Sequence, residues 1–129
     1  MEIPSSREVV DLLLRWQRAE LTERDVHHRA ERWWAALPDD LDVPEWDSDS
    51  AVIHVLGMLD VLNQELIVAA DVPHLVTFLE NAPANPRYER ERLEAYWASV
   101  DWERRRDALT GHPHYAVPRT RASPDDSER

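Results

Sequence analysis

Apolar residues recur in this chain at the three- and four-residue spacing of an α-helix, and this spacing constrains the fold more than any other feature. Ser5 and Glu8 fit a capping box, in which each side chain accepts a hydrogen bond from an otherwise unpaired backbone amide. The apolar stripe that follows is Val9, Leu12, Leu13 and Trp16. Thr22 with Asp25 starts a second helix, which Pro38 ends. Its stripe is Val26, Ala30, Trp33 and Leu37. The short joint between the two helices favours antiparallel packing.

The most apolar segment predicts one continuous helix at the centre of the fold. It begins at a cap, Ser48 or Ser50, and runs to about Ala69, with apolar side chains nearly encircling its axis. A strand over residues 52–55 is the alternative, because several side chains are β-branched, but the length of the segment favours a helix. Gly57 inside the segment indicates a close helix crossing.

Further start and stop signals predict the second half of the bundle. Asp71 is a good cap for a short fourth helix, whose stripe is Val72, Leu75, Val76 and Leu79. Asn85 followed by Pro86 starts a fifth helix, whose stripe is Leu93, Tyr96, Trp97 and Val100. Residues 101–109 continue it or form a sixth short helix, and Gly111 provides a left-handed cap.

The whole pattern predicts an all-α, single-domain bundle of about five helices around a central apolar helix. The chain of 129 residues fits one domain, which we place at residues 1–110. Residues 111–129 contain three prolines and few core-forming side chains, so we expect a largely disordered C-terminal tail. No secretory leader is visible, and the apolar segment has too many polar interruptions to span a bilayer. We therefore expect a cytoplasmic protein with no membrane partner.

Composition excludes several kinds of site. The absence of cysteine excludes disulfides and thiolate metal sites, and two glycines are too few for a glycine-rich phosphate loop. Residues 47–50 resemble the start of a calcium loop, but the required later glycine and glutamate are missing. His27 with Glu31 provides only two metal ligands, and a solvated helix face is the simpler interpretation. We predict no metal and no cofactor. The run Arg104, Arg105 and Arg106 is bracketed by acids, which also favours a solvated face.

The negative charge of the chain is concentrated in its middle. The formal net charge is −11, and residues 33–86 contain ten acidic residues and no arginine or lysine. Residues 1–32 carry six arginines and seven acids, and residues 87–129 carry nine of each. Such carboxylates repel one another within the ~8 Å screening length of physiological salt. The cluster is therefore either a solvated surface or a docking surface for a basic protein, and it disfavours a nucleic-acid partner.

The predicted contact residues lie in the loop before the central helix. They are Asp39, Asp40, Asp42, Glu45, Trp46, Asp47 and Asp49, named here the acidic contact set. Trp46 is either a lid on the core or an exposed anchor, because an aromatic side chain ringed by charge is typical of interface hot spots.

The layout of the first 80 residues resembles the small bacterial immunity proteins that neutralise ribonuclease or deoxyribonuclease toxins, the colicin D immunity type in particular. The resemblance rests on the run from Arg7 to Trp16, the capped helix that carries tryptophan, and the acidic loop. It implies that acidic side chains cover the basic nucleic-acid site of a nuclease toxin. The arginine-rich C-terminal helix departs from that layout.

These features favour a non-enzymatic acidic protein-binding domain, of which an immunity or antitoxin-type inhibitor is one version. The alternative is a structural or adaptor subunit that binds its partner through apolar helix faces. An enzyme is the third class, and it would need a concave pocket in which a perturbed histidine or carboxylate faces another polar group.

Overall fold

A computed structural model describes residues 4–37 and 48–115, and every element assigned in these ranges is helical. A 3₁₀ turn spans Ala69–Asp71. The α-helices are α1 (Ser6–Gln17), α2 (Glu23–Ala35), α3 (Ser48–Asp60), α4 (Leu62–Glu65), α5 (Val72–Asn81), α6 (Pro86–Ser99) and α7 (Trp102–Leu109). The all-α prediction is confirmed for this part of the chain, which contains seven α-helices where about five were expected. The tail beyond residue 115 lies outside the described residues.

The first two helices start as their capping signals predict. The Ser5 hydroxyl accepts from the Glu8 amide at 3.1 Å, and the Glu8 carboxylate accepts from the Ser5 amide at 2.8 Å. Thr22 and Asp25 form the same reciprocal pair at the start of α2, with distances of 3.0 and 3.1 Å. The predicted stripe of α1 is buried in full, whereas Trp33 is only half-buried on α2.

The helix α3 is the central apolar helix, and it contacts α1, α2 and α5. Its fully buried side chains are Ala51, Val52, Val55, Leu56 and Leu59. A methyl group added at Gly57 would lie 3.4 Å from the indole ring of Trp34, so the predicted close crossing is the contact of α2 with α3. The alternative of a strand over residues 52–55 is wrong, since these residues are helical.

The prediction of one continuous helix to Ala69 is wrong. The helix α3 ends at Asp60, α4 restarts for a single turn, and Leu66 adopts a left-handed backbone with φ of 58°. The break lets both Leu66 and Ile67 bury their side chains. It also frees three carbonyl groups, which side chains from distant parts of the chain satisfy, as described below.

Two predicted caps differ from expectation. Neither Asp71 nor Asn85 makes a side-chain capping hydrogen bond to the helix that follows it. The carboxylate of Asp71 is engaged elsewhere in the core, and this is the physical reason for the first difference. Pro86 does occupy the first turn of α6, and Gly111 has a φ of 81° after α7, so both of these signals are confirmed.

None of the helices in the described part of the chain is long and apolar enough to cross a bilayer.

Ala19 provides a test of the backbone at the turn after α1. Its φ of 64° lies in the left-handed region, which costs an alanine about 1 kcal/mol, and its side chain is exposed. Because glycine avoids this cost but adds entropy to the unfolded chain, Ala19→Gly is expected to raise the free energy of unfolding by about 0.5 kcal/mol. Urea denaturation measures the difference.

The matched control is Ala95→Gly at an exposed position inside α6, which is expected to lower the free energy of unfolding by about 1 kcal/mol. Effects of the same sign at the two positions would contradict the left-handed assignment of Ala19.

Candidate functional site

The acidic contact set lies almost entirely outside the described residues. This applies to Asp39, Asp40, Asp42, Glu45, Trp46 and Asp47. Asp49 lies in the first turn of α3. The two alternatives for Trp46 and the contact role of the set therefore stay predictions.

Four other carboxylates of residues 33–86 have described side chains, and they fall into two groups. Glu65 and Glu80 are exposed, and Asp60 is half-buried. Burial, followed by the nearby charge of Glu31, raises the pKa of Asp60. Asp71 is fully buried, and it alone among the four forms an ion pair within the described ranges. One carboxylate of the acidic stretch is thus turned inward onto an arginine of the C-terminal segment.

Asp71 is the centre of a buried polar network. Both terminal nitrogens of the Arg105 guanidinium group donate to it, at 2.9 and 3.0 Å, in a bidentate pair. The Val68 amide donates to one carboxylate oxygen at 2.9 Å, and the Tyr96 hydroxyl donates to the other. Burial, together with the hydrogen bond to Asp71, raises the pKa of Tyr96. Four donors thus satisfy both oxygens of a carboxylate that is excluded from water.

Sequence reasoning missed this network. The interpretation of Arg105 as part of a solvated face is wrong, whereas Arg104 and Arg106 are exposed as expected. Arg105 also donates to the freed Leu66 carbonyl at 3.2 Å. Its partner Asp71 is 34 residues away, so no local spacing could have connected the two.

A second polar cluster attaches residues 111–115 to the bundle. His27 is only 6% exposed, so its assignment to a solvated helix face is wrong. Its Nε2 lies 2.8 Å from the Asp60 carbonyl, and its Nδ1 lies 2.9 Å from His114 Nε2. Because a carbonyl only accepts, a neutral His27 donates from Nε2 and accepts from His114 at Nδ1. The Tyr115 hydroxyl donates to the freed Ile67 carbonyl at 2.6 Å.

His112 adds a third attachment of the same segment, with its Nε2 3.2 Å from a Glu23 carboxylate oxygen on α2. No group of three or more histidine or acidic side chains in the described ranges is arranged to hold a metal ion.

An apolar groove runs between α3, α6 and α7, and we call it the aromatic groove. Its volume is about 250 Å³. Its lining side chains are Met58, Ile67, Leu93, Trp97 and Trp102, with His54, Glu65, Arg90 and Glu94 at the polar positions. Two indole rings beside charged groups give a surface suited to an apolar side chain of a partner.

Comparison of the chain with known protein families, with curated proteins and with solved structures finds no match.

Removing the guanidinium from the buried network is expected to destabilise the protein strongly. Arg105→Gln leaves the Asp71 carboxylate buried without its counter-charge, and such a change costs about 3 kcal/mol or more of unfolding free energy. Denaturant unfolding measures the loss. Arg104→Gln, on the exposed side of the same helix, should change the free energy by less than about 0.5 kcal/mol.

A double variant separates the cost of an unpaired buried charge from the cost of lost packing. Asp71→Asn added to Arg105→Gln removes the unpaired charge and should recover part of the stability. Equal losses in the single and the double variant would contradict the electrostatic origin.

The histidine cluster predicts a loss of stability in mild acid. Burial, then the proximity of His27, lowers the pKa of His114, against the opposing effect of Glu23. The unfolded chain, with a histidine pKa of about 6.5, therefore binds the proton more readily than the folded chain. The contribution of His114 is present above that pH and is lost as the pH falls below it.

Unfolding free energies measured between about pH 7.5 and about pH 5.5 test this dependence. The decrease should be smaller for His114→Gln, which keeps an N–H donor toward His27. It should persist for His28→Gln at an exposed position of α2. An unchanged slope in the His114 variant would exclude this group as the source.

Proposed function

We propose that this chain is a non-enzymatic acidic interaction domain that binds a basic surface of another protein. The observation that carries the proposal is the presence of ten carboxylates and no arginine or lysine in residues 33–86. Seven residues of this stretch, the acidic contact set, provide the contacts. A surface of one charge speeds encounter with an oppositely charged partner and disfavours neutral or acidic ones.

Charges elsewhere in the chain support this interpretation, because many of them are used locally. Glu8 and Asp25 accept from backbone amides at helix starts. Glu20 pairs with Arg18 at 2.8 Å. Glu65 and Glu80, by contrast, are exposed and have no ion-pair partner in the part of the chain that the structure describes. Residues 33–86 contain no arginine or lysine that could compensate these carboxylates from within the stretch.

The carboxylates and the tryptophan of the acidic contact set contribute differently to binding in this proposal. Carboxylates at the rim of an interface steer the partner and contribute little each, whereas a desolvated aromatic anchor contributes about 2 kcal/mol or more. In this proposal Trp46 is the anchor and its acidic neighbours form the rim. In the immunity-type version, the partner surface that the acidic contact set binds is the basic nucleic-acid site of a nuclease toxin.

A structural or adaptor role is the second candidate, and the aromatic groove favours it. Trp97 and Trp102 line that groove beside Met58, and all three are only partly buried. In this version the partner inserts an apolar side chain between α3 and α7, and the acidic residues serve solubility.

Neutralising the acidic residues of the contact set tests the primary proposal. The variant carries Asp→Asn or Glu→Gln at 39, 40, 42, 45, 47 and 49. The immobilised wild-type chain captures its partner from an extract of the native host, and the purified partner is then titrated against both proteins by calorimetry. We expect the variant to bind at least about tenfold more weakly at low salt, because steering and complementarity are lost. Wild-type affinity should fall steeply between about 50 and about 500 mM salt.

A control with the same change in net charge removes acids elsewhere, namely Asp11, Glu91, Glu103, Asp107, Asp125 and Asp126. It should retain most of the affinity. Binding that is insensitive to salt and survives neutralisation of the contact set rejects the acidic mechanism. If Met58→Glu then abolishes that binding, the adaptor version is supported. The immunity-type version further requires that the partner cleave RNA or DNA alone and lose this activity in the complex.

A further inference from the structure

A groove between α1 and α2 has a positively charged lining although the chain as a whole is acidic, and we call it the arginine groove. Its volume is about 340 Å³. Its lining residues are Leu12, Arg15, Leu21, Asp25, His28, Arg29 and Arg32. Three arginines, a histidine and one carboxylate therefore line a space large enough for a small molecule.

The groove is built by helix periodicity. Positions 25, 28, 29 and 32 follow the spacing of one face of α2, and positions 12 and 15 are one turn apart on α1. Both helices begin with a complete capping box, which fixes the residue at which each helix starts and therefore which of its side chains share a face. The positions of the three arginines on the two helices therefore place them around one groove.

The single carboxylate of the groove is already engaged. Asp25 accepts from the Thr22 amide at 3.0 Å and closes the capping box of α2. These bonds, first to the backbone and then to the hydroxyl of Thr22, lower the pKa of Asp25. Arg15 has one weak partner, Glu20 at 3.5 Å, and Glu20 bonds more closely to Arg18 at 2.8 Å.

The two arginines of α2 that line the groove are available to a ligand. Arg29 and Arg32 are exposed, and neither forms an ion pair within the described residues. The Arg29 guanidinium lies 5.5 Å from the centre of the Trp33 ring, a contact that orients the planar group. A guanidinium placed against an aromatic ring keeps its N–H edge free to bind oxygen atoms in pairs.

We propose that the arginine groove binds a small organic phosphate monoester. The dianionic phosphate accepts hydrogen bonds from Arg29 and Arg32 on α2 and from Arg15 on α1, with His28 as a further donor. The organic substituent lies against Leu21, the half-buried apolar residue of the lining. Guanidinium groups match the oxygen geometry of phosphate, and a net positive lining attracts the dianion in spite of the negative charge of the whole chain.

Phenyl phosphate and inorganic phosphate are the two probes for this site. Titration of the full chain at pH 7.5, followed by the NMR signals of the arginine Nε–H groups, should give saturable shifts at Arg29 and Arg32. Phenyl phosphate should bind several times more tightly than inorganic phosphate, because only the ester has a ring to cover the half-buried Leu21. Equal affinity for the two probes would overturn the assignment to an ester.

The matched variants are Arg29→Gln with Arg32→Gln, and Arg7→Gln with Arg24→Gln. Both pairs remove two exposed positive charges from α1 or α2, and only the first pair lines the groove. We expect the first to weaken phenyl phosphate binding at least about tenfold and the second to leave it within about twofold. Circular dichroism of each variant checks that the helices are intact.

Two further results would overturn the proposal: no saturable shift in the wild-type chain up to about 10 mM phenyl phosphate, or equal weakening by the two variant pairs. The site is independent of the acidic contact set, so its failure would leave the proposed protein-binding function untouched.

Discussion

The buried ion pair between Asp71 and Arg105 is the interaction on which the arrangement of the C-terminal half depends. No side chain of α7, a helix the structure describes in full, is completely buried. Hydrophobic burial alone therefore holds this helix weakly. Arg105 reaches into the core and binds the carboxylate at 2.9 and 3.0 Å, while the Trp102 indole donates to the Trp97 carbonyl at 3.0 Å. A polar contact with fixed geometry positions α7 where an apolar one would let it slide.

The break after α3 is likewise a place where polar side chains from distant segments bind in the core. Ending the helix at Asp60 exposes carbonyls that an uninterrupted helix would have paired internally. Three side chains from other parts of the fold use them: His27 binds the carbonyl of Asp60, Arg105 that of Leu66 and Tyr115 that of Ile67. One irregular segment thus joins α2, α7 and the residues after α7. These acceptors also explain why polar side chains from three segments converge on so apolar a core.

Sequence reasoning succeeded where the physical cause was local. The capping boxes at Ser5 and Thr22 and the left-handed Gly111 depend on residues within one turn, and each was readable from spacing. The continuous central helix, the cap at Asp71 and the solvated face at Arg105 were wrong, because partners 34 and 39 residues away decide them.

The two candidate sites also differ in whether the sequence alone revealed them. The acidic contact set is a compositional signal and was visible in the sequence, although its residues lie almost wholly outside the described ranges. The arginine groove was missed, because residues 1–32 have a nearly balanced formal charge. A sequence signal did exist: Asp25 belongs to a capping box, so one of its carboxylate oxygens binds the Thr22 amide rather than the arginines one and two turns further along α2.

The contact between His27 and His114 has a kinetic consequence. It joins residues 87 positions apart, so the chain must close a very long loop before this bond can form. The contacts of α1 with α2 span only a short connection and can nucleate early. We expect the segment that ends in Tyr115 to dock late on the folding pathway, onto helices already in place. A chain emerging from the ribosome would accordingly assemble most of its core before its last anchored aromatic residue arrives.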